Sequence, residues 1–294
     1  MKTVEITSII KKMQGGSTEP ILIDAIDDTG LVSPYVLKLY KISYERLSYP
    51  TLKEIIVAYL ANEFDLRTPD VVLTSLSDDL IKVNNKRFSQ FNIKNQKEYN
   101  LSTPKVAFQY MTAQTVGYND EFNFNISEYS NIYAFDFLVF NNDRGGHNNK
   151  PNLLIDDSGF ILIDHELTLN FIDNSNIVDS VLDLEIDLTQ LEYPNPIILD
   201  NIKTSISNGT TKYNYIKHLF FNKLRSFENK QELFNDFTYY LEEFSTTRFK
   251  LFLETLIPFG LTIESLSLLL DYITFIQKNA KSFENTLINS LSNG

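Results

Sequence analysis

The chain has 294 residues, 34.0 kDa, 43% hydrophobic and 22% charged, with net charge −12 and a pI near 4.8. It can bury a substantial core but is too acidic for a broad nucleic-acid surface, which needs clustered Lys and Arg, although a locally basic nucleotide pocket stays open. With no cysteine, disulfides, thiolate nucleophiles and cysteine-ligated zinc are excluded, and the three histidines (His147, His165, His218) are too few and too scattered to suggest a histidine metal cage.

In chain order, Val4, Ile6 and Ile9–Ile10 predict a first strand and ILIDAID (Ile21–Asp27) a second, with the glycine-led QGGSTEP loop (Gln14–Pro20) between them. The DDTG turn (Asp27–Gly30) leads into a third strand, PYVLKLY (Pro34–Tyr40). Thr51 reads as the cap of a helix over Leu52–Phe64, with Ile55, Ile56, Ala58, Tyr59 and Leu60 on its apolar side. TPDVVLTSL (Thr68–Leu76) is a strand after a proline turn, Ser77–Ser102 is polar and irregular, and KVAFQYM (Lys105–Met111) is a further strand. Helical pattern resumes near Ile126 and leads through Tyr129–Phe140 to a polar cluster.

From Tyr213 onward helices dominate. Ile216, Leu219, Phe220 and Leu224 share one face, Leu233, Phe237, Tyr240 and Leu241 another, and Leu251, Leu253 and Leu256 a third. Pro258–Gly260 breaks the run before helices over Ile263–Gln277 and Ser282–Leu291. A β-rich segment with one helix thus precedes a helix-rich one, an α+β, two-lobed layout. The opening MKTVEITSIIKKMQ lacks the apolar core of a signal peptide and no stretch reaches a membrane span, so a soluble cytoplasmic protein is expected.

The densest chemistry lies in NNDRGGHNNKPNLLIDDSGFILIDHE (Asn141–Glu166), where the apolar runs Phe135–Phe140 and Phe160–Ile163 each empty into polar residues, as strands that hold reacting groups at a sheet edge do. Asp143, Asn152 and Asp164 form the minimum set for magnesium-assisted phosphoryl transfer: a carboxylate for the attacking hydroxyl, then an amide and a carboxylate as oxygen ligands of a hard cation. Each also has a plain alternative as a turn or strand-end residue, and it is their conjunction that favours chemistry. Lys38 sits in an apolar strand and needs an anionic partner if buried; Glu54 on the following helix and a nucleotide phosphate would supply it. Strict alternation also allows Lys38 to point outward from a one-faced strand. Gly15, Gly16 and Ser17 could wrap amides around phosphates or form an ordinary hairpin turn. Gln109, Tyr110 and Met111 close a strand whose backbone could recognise adenine, with an ordinary core strand as the alternative.

Together these residues resemble the HipA-like kinase family, bacterial proteins with a fold akin to protein and phosphoinositide kinases. The similarity is to the branch that ends its catalytic loop in KPNLL and its metal-binding strand in LIDHE. It runs from GGSTEP and VLKLYK through KEIIVAYLANEFDL to NNDRGGHNNKPNLLI, LIDHELTL and the helical tail. It implies a bilobal protein-kinase-like fold, with a small β-rich N-lobe (1–111) and a larger helical C-lobe (112–294), that uses ATP and Mg2+. It also implies Gly15–Ser17 as the phosphate loop, Lys38 as the phosphate-binding lysine, Glu54 as its helix partner, Asp143 as the catalytic aspartate, and Asn152 and Asp164 as magnesium ligands.

Two departures from the family's pattern stand out. The asparagine that follows the catalytic aspartate after four intervening residues falls here on Asn148, the alternative ligand, whereas Asn152 opens the next strand. Asp164 is followed by His165–Glu166 and by no DFG glycine. The implied activity is transfer of the γ-phosphoryl group to a Ser or Thr hydroxyl of a protein. The family includes toxins that act beside DNA-binding antitoxins, but the chain shows no full-length match to that subgroup, so the resemblance supports kinase chemistry better than toxin biology; an antitoxin partner stays open, and no direct nucleic-acid or membrane binding is expected. A nucleotide-binding pseudokinase and a small-molecule or lipid kinase carry the same residues and stay open.

Overall fold

The structure, a computed structural model, describes residues 2–13, 20–91, 99, 104–117, 119–120, 122, 124–145, 151–173, 196–211 and 215–292. β1 (Thr3–Lys12), β2 (Ile21–Ile26) and β3 (Val32–Leu37) form an antiparallel meander. The β2–β3 turn is set by Asp27, whose carboxylate accepts the Thr29 and Leu31 amides, and by Gly30 at φ +85°, a value that glycine adopts without strain. After α1 (Ile42–Ser48) and α2 (Pro50–Glu63) come β4 (Val71–Ser75), α3 (Asp78–Val83), α4 (Asn85–Gln90) and β5 (Lys105–Gln109). β5 pairs with both β3 and β4, and β4 runs parallel to β1, so among the described residues these strands close into a barrel.

Alternation along the strands fills that barrel. Ile23, Tyr35, Leu37 and Ala107 point inward with Ile6 and Ile9, and Phe88 of α4 is fully buried against them. The segment expected to be irregular therefore supplies part of the barrel's core. Its first short helix, α3, is started by Ser77, whose hydroxyl accepts the Leu80 amide. α2 also begins differently from expectation. Pro50 occupies its first turn, Tyr49 precedes it in the left-handed conformation, and the Thr51 hydroxyl bonds Glu45 and caps nothing.

β6 (Gln114–Thr115) leads to α5 (Ile126–Leu138), capped by Asn125, and then to the β7 (Leu153–Asp156) and β8 (Gly159–Leu162) hairpin, on which β6 pairs as a third strand. The helical pattern expected from Ile126 is α5, and the Phe135–Phe140 run, which also reads as a strand end, is the end of that helix and the turn after it. A continuous apolar stretch looks the same in a buried helix and in a buried strand. Helices follow: α6 (Pro196–Ser207), α7 (Phe221–Arg225), α8 (Asn235–Glu243), α9 (Thr246–Glu254), α10 (Ile263–Lys278) and α11 (Ala280–Ser292). They enclose a second, larger core with α5, the β7–β8 hairpin and most of α2. Leu253 and Leu256 join that core, but Leu251 is exposed, one helical step off their face. The sheet-rich first part and helical second part agree with the expected layout. Among the described residues no helix is long and apolar enough to cross a membrane.

Candidate functional site

β3 ends at Leu37, and the next residues pass out of the barrel beside β5, where the Lys38 amide donates to the Val106 carbonyl at 3.2 Å. Leu37 and Leu39 remain in the barrel core while Lys38 and Tyr40 turn the other way, yet both of these are buried as well, at 8% and 2% exposed. The outward-pointing alternative for Lys38 is thereby removed. Its ammonium bonds Glu54 Oε1 of α2 and lies 2.6 Å from Asp164 Oδ1. Burial opposes the charge on Lys38, but Glu54, Asp164 and Glu166 outweigh it and hold the lysine well above its ordinary pKa.

Glu54 is fully buried and fully engaged. Besides Lys38, its Oε1 is 3.3 Å from the Tyr40 hydroxyl, and its Oε2 accepts the His165 amide at 3.1 Å. Burial alone would raise its pKa; Lys38 and His165 overcome that and lower it to about 2. Glu166 behaves in the opposite way. Buried near two other carboxylates, it is lifted to about 7 despite the nearby Lys38 and a hydrogen bond from Tyr40.

Asn152 and Asp164 flank the β7–β8 hairpin. Leu153 pairs with Leu162, and the Ile163 amide donates to the Asn152 carbonyl at 3.2 Å, which leaves Asp164 one residue beyond this last rung. Both have left-handed backbones, φ 51° and 65°, a region that Asn and Asp tolerate better than most residues. Asn152 Nδ2 donates to Asp143 Oδ2 at 2.8 Å, so its amide oxygen faces away from that contact. The Asp143 amide in turn donates to Asn141 Oδ1 at 3.1 Å.

Of the residues singled out from sequence, Lys38, Glu54 and Asp164 meet directly, Asp143 and Asn152 meet directly, and the hairpin rung joins the two sets. Gly15, Gly16, Ser17 and Asn148 lie outside the described residues. At the end of β5, the Gln109 and Tyr110 amides donate to the Asp70 and Pro34 carbonyls, each at 2.9 Å, so those N–H groups are committed within the protein.

A cation would meet hard oxygen donors here. Glu54, Asp164 and Glu166 each place a carboxylate oxygen within 4.8 Å of the others. Both oxygens of Glu54 accept hydrogen bonds from Lys38, Tyr40 and His165, so the oxygens of Asp164 and Glu166, with the Asn152 amide oxygen beyond the hairpin rung, are the candidate ligands of an ion.

Sequence reasoning overlooked the layer beneath. Asp136 of α5 is fully buried, and its carboxylate accepts Arg144 Nε at 2.5 Å, Arg144 Nη2 at 3.0 Å, Asn141 Nδ2 at 2.9 Å and His218 Nε2 at 2.9 Å. The Phe220 amide donates to His218 Nδ1 at 3.2 Å, which places the ring's proton on Nε2. Burial would raise the Asp136 pKa, but Arg144 and His218 bring it down to about 2, while burial lowers that of His218. The signal was in plain view: Asp136 is the lone charge in AFDFLVF, and such a residue must find partners. His218 is one of them.

No curated protein matches the chain. A family model described as HipA-like kinase matches residues 6–180, a span that contains every site residue named above except His218 and Phe220 and covers more than half of the chain. The family suggests kinase activity and implies ATP and a divalent metal. On that match, with the Lys38–Glu54–Asp164 contact and the Asp143–Asn152 pair within it, the chain belongs to the HipA-like kinase family.

Proposed function

We propose that the protein is an ATP- and Mg2+-dependent phosphotransferase that delivers the γ-phosphoryl group to a Ser or Thr hydroxyl of a protein. The observation that carries this reading is the buried Lys38 ammonium held between Glu54 and Asp164, one hairpin rung from the Asp143–Asn152 pair. Lys38 pairs with the ATP phosphates, and Glu54 keeps it extended towards them. Asp143 orients the acceptor hydroxyl and takes its proton as the oxygen attacks the γ-phosphorus, and the bond to the β-phosphate oxygen breaks to release ADP. Asn152 and Asp164 would hold magnesium, which when bound neutralises the charge developing on the phosphates. With the Gln109 and Tyr110 amides committed, adenine recognition falls to their carbonyls and to Met111, and Gly15–Ser17, outside the described residues, are the proposed phosphate-binding segment.

In this reading the barrel part (1–111) and the helical part (112–294) are the two lobes of a protein-kinase-like fold, and the protein works in the cytoplasm. The toxin role found in the family extends the proposal to a toxin–antitoxin pair, tested by whether a helix-turn-helix gene adjoins this one. Incubation with labelled ATP and a cell lysate identifies the acceptor. Asp164→Ala is expected to abolish metal-dependent labelling while circular dichroism stays native; full activity in that variant overturns the assignment. Mg2+-dependent ATP binding without labelling of any acceptor identifies a pseudokinase instead, and labelling confined to small molecules or lipids moves the acceptor class.

A further inference from the structure

The Asp143–Asn152 contact is one side of a closed circuit of hydrogen bonds. Asn152 Nδ2 donates to Asp143, the Asp143 amide donates to Asn141, and Asn141 donates to Asp136. Asp136 binds Arg144, whose remaining guanidinium nitrogen, Nη1, donates to the carbonyl of Asn152 at 2.5 Å and to that of Pro151 at 3.3 Å. Arg144 is 1% exposed, and its own carbonyl accepts the Leu219 amide at 3.0 Å, next to His218. The guanidinium thus spans from a helix carboxylate on one edge to the backbone of a metal-ligand candidate on the other.

We propose that Arg144 is a positioning residue. It clamps the Asn152 backbone to α5 through Asp136 and so fixes the separation between the catalytic Asp143 and the ligand Asn152, with His218 completing the buried anchor. The inference rests on the kinase reading and adds a residue to it. The geometry asks for arginine specifically, because one planar fork must serve the Asp136 carboxylate and two carbonyls together. A lysine keeps the charge but presents a single nitrogen and loses one side of the clamp. Outer partners of metal ligands, when removed, weaken metal affinity or activity by about 10–100-fold.

Arg144→Lys is therefore measured in the full chain in three ways: amide hydrogen exchange without nucleotide, Mn2+ affinity by calorimetry with a non-hydrolysable ATP analogue, and steady-state ATP turnover. The expected result is a native circular dichroism spectrum, faster exchange at the Asp143 and Leu219 amides, and Mn2+ affinity and kcat both about tenfold lower or more, with KM for ATP little changed. A folded Arg144→Lys protein with wild-type exchange and wild-type Mn2+ affinity overturns the clamp. Should that variant not fold, His218→Phe and His218→Gln test the same anchor, because phenylalanine leaves Asp136 short of a donor and glutamine returns one. Weaker Mn2+ binding in the first, recovered in the second, supports the clamp, and wild-type binding in both overturns it. A wild-type protein whose Mn2+ binding survives Asp164→Ala overturns the metal-site reading and this inference with it; unchanged binding in Arg144→Lys, with loss in Asp164→Ala, overturns this inference alone.

Discussion

Replacing Lys53 by Met tests how α2 is held beside the site. Lys53 precedes Glu54, is 1% exposed, and sits 2.6 Å from Asp173 Oδ1, at the end of the single 3-10 turn (Asn170–Ile172) that follows the LIDHE segment. Burial lowers the pKa of Lys53 and lifts that of Asp173 from 3.8 to about 6 even with the lysine beside it. That rise is worth about 3 kcal/mol of stability, fully present below pH 3.8 and lost as pH climbs through 6. Without its cation, Asp173 should have a still higher folded pKa, so the variant should go on losing stability above pH 6, where the wild type levels off. Breaking a buried pair costs about 3–5 kcal/mol, and a hydrophobic replacement of both partners costs little or gains stability. Urea denaturation of Lys53→Met should therefore show a deficit of about 3 kcal/mol at pH 8 that shrinks at pH 5, where Asp173 protonates in the wild type as well. The double variant Lys53→Met with Asp173→Leu should recover most of the loss. A deficit that is the same at pH 5 and pH 8, or a double variant no better than the single, refutes the argument.

Two further outcomes follow from buried groups. Asp136, lowered from 3.8 to about 2, contributes about 2 kcal/mol that is complete above pH 3.8 and lost as pH falls through 2, so Asp136→Asn should flatten the stability profile between pH 4 and 2; an unchanged acid limb contradicts this. Phe64, 1% exposed at the end of α2, stacks on Phe237 at 4.7 Å and on Phe244 at 5.7 Å, so Phe64→Ala should lower unfolding free energy by about 3–5 kcal/mol, read by denaturant titration, and a loss under 1 kcal/mol would show that the cage relaxes around the gap.

Legibility from sequence tracked the range of the interaction that decides each feature. Strands with strict alternation, such as Ile21–Ile26, could be read from local pattern because a period of two places one face in the barrel. The stretch after Ser77 could not, since its polar surface conceals Phe88, which the barrel buries, and the partly buried Leu80, Ile81 and Phe91 that pack beside it. Lys38 was left between two readings because alternation describes a single strand, whereas its burial depends on α2 and on Asp164, far away along the chain. The positions of Asn152 and Asp164 at the two ends of the hairpin follow from local pattern, because each adjoins a short apolar strand. Arg144 was passed over because its carboxylate partner sits inside an apolar helix and its third partner is a main-chain carbonyl, which no side-chain motif records.

The placement of α2 explains why the site joins the two halves of the chain. Leu52, Ile56 and Leu60 belong to the larger core together with α5 and the C-terminal helices, while the barrel keeps a core of its own. Tyr59 stacks on Phe252 of α9 at 4.0 Å, Phe64 is caged by residues of α8 and the turn after it, and Lys53 is tied to Asp173. Glu54 is thus fixed to the same body that carries Asp143, Asn152 and Asp164, and its His165 contact makes that explicit. Lys38 and Tyr40 come from the barrel side. A shift of the barrel against the helical body would therefore strain the Lys38–Glu54, Lys38–Asp164 and Tyr40–Glu54 bonds before any contact within the Asp143–Asn152 circuit, because those bonds cross the seam and the circuit does not. The placement of Lys38 and that of Asn152 are in this sense separable: the first depends on how barrel and helices are seated, whereas the Asn152 backbone is held by Arg144, which Asp136 anchors beneath the hairpin.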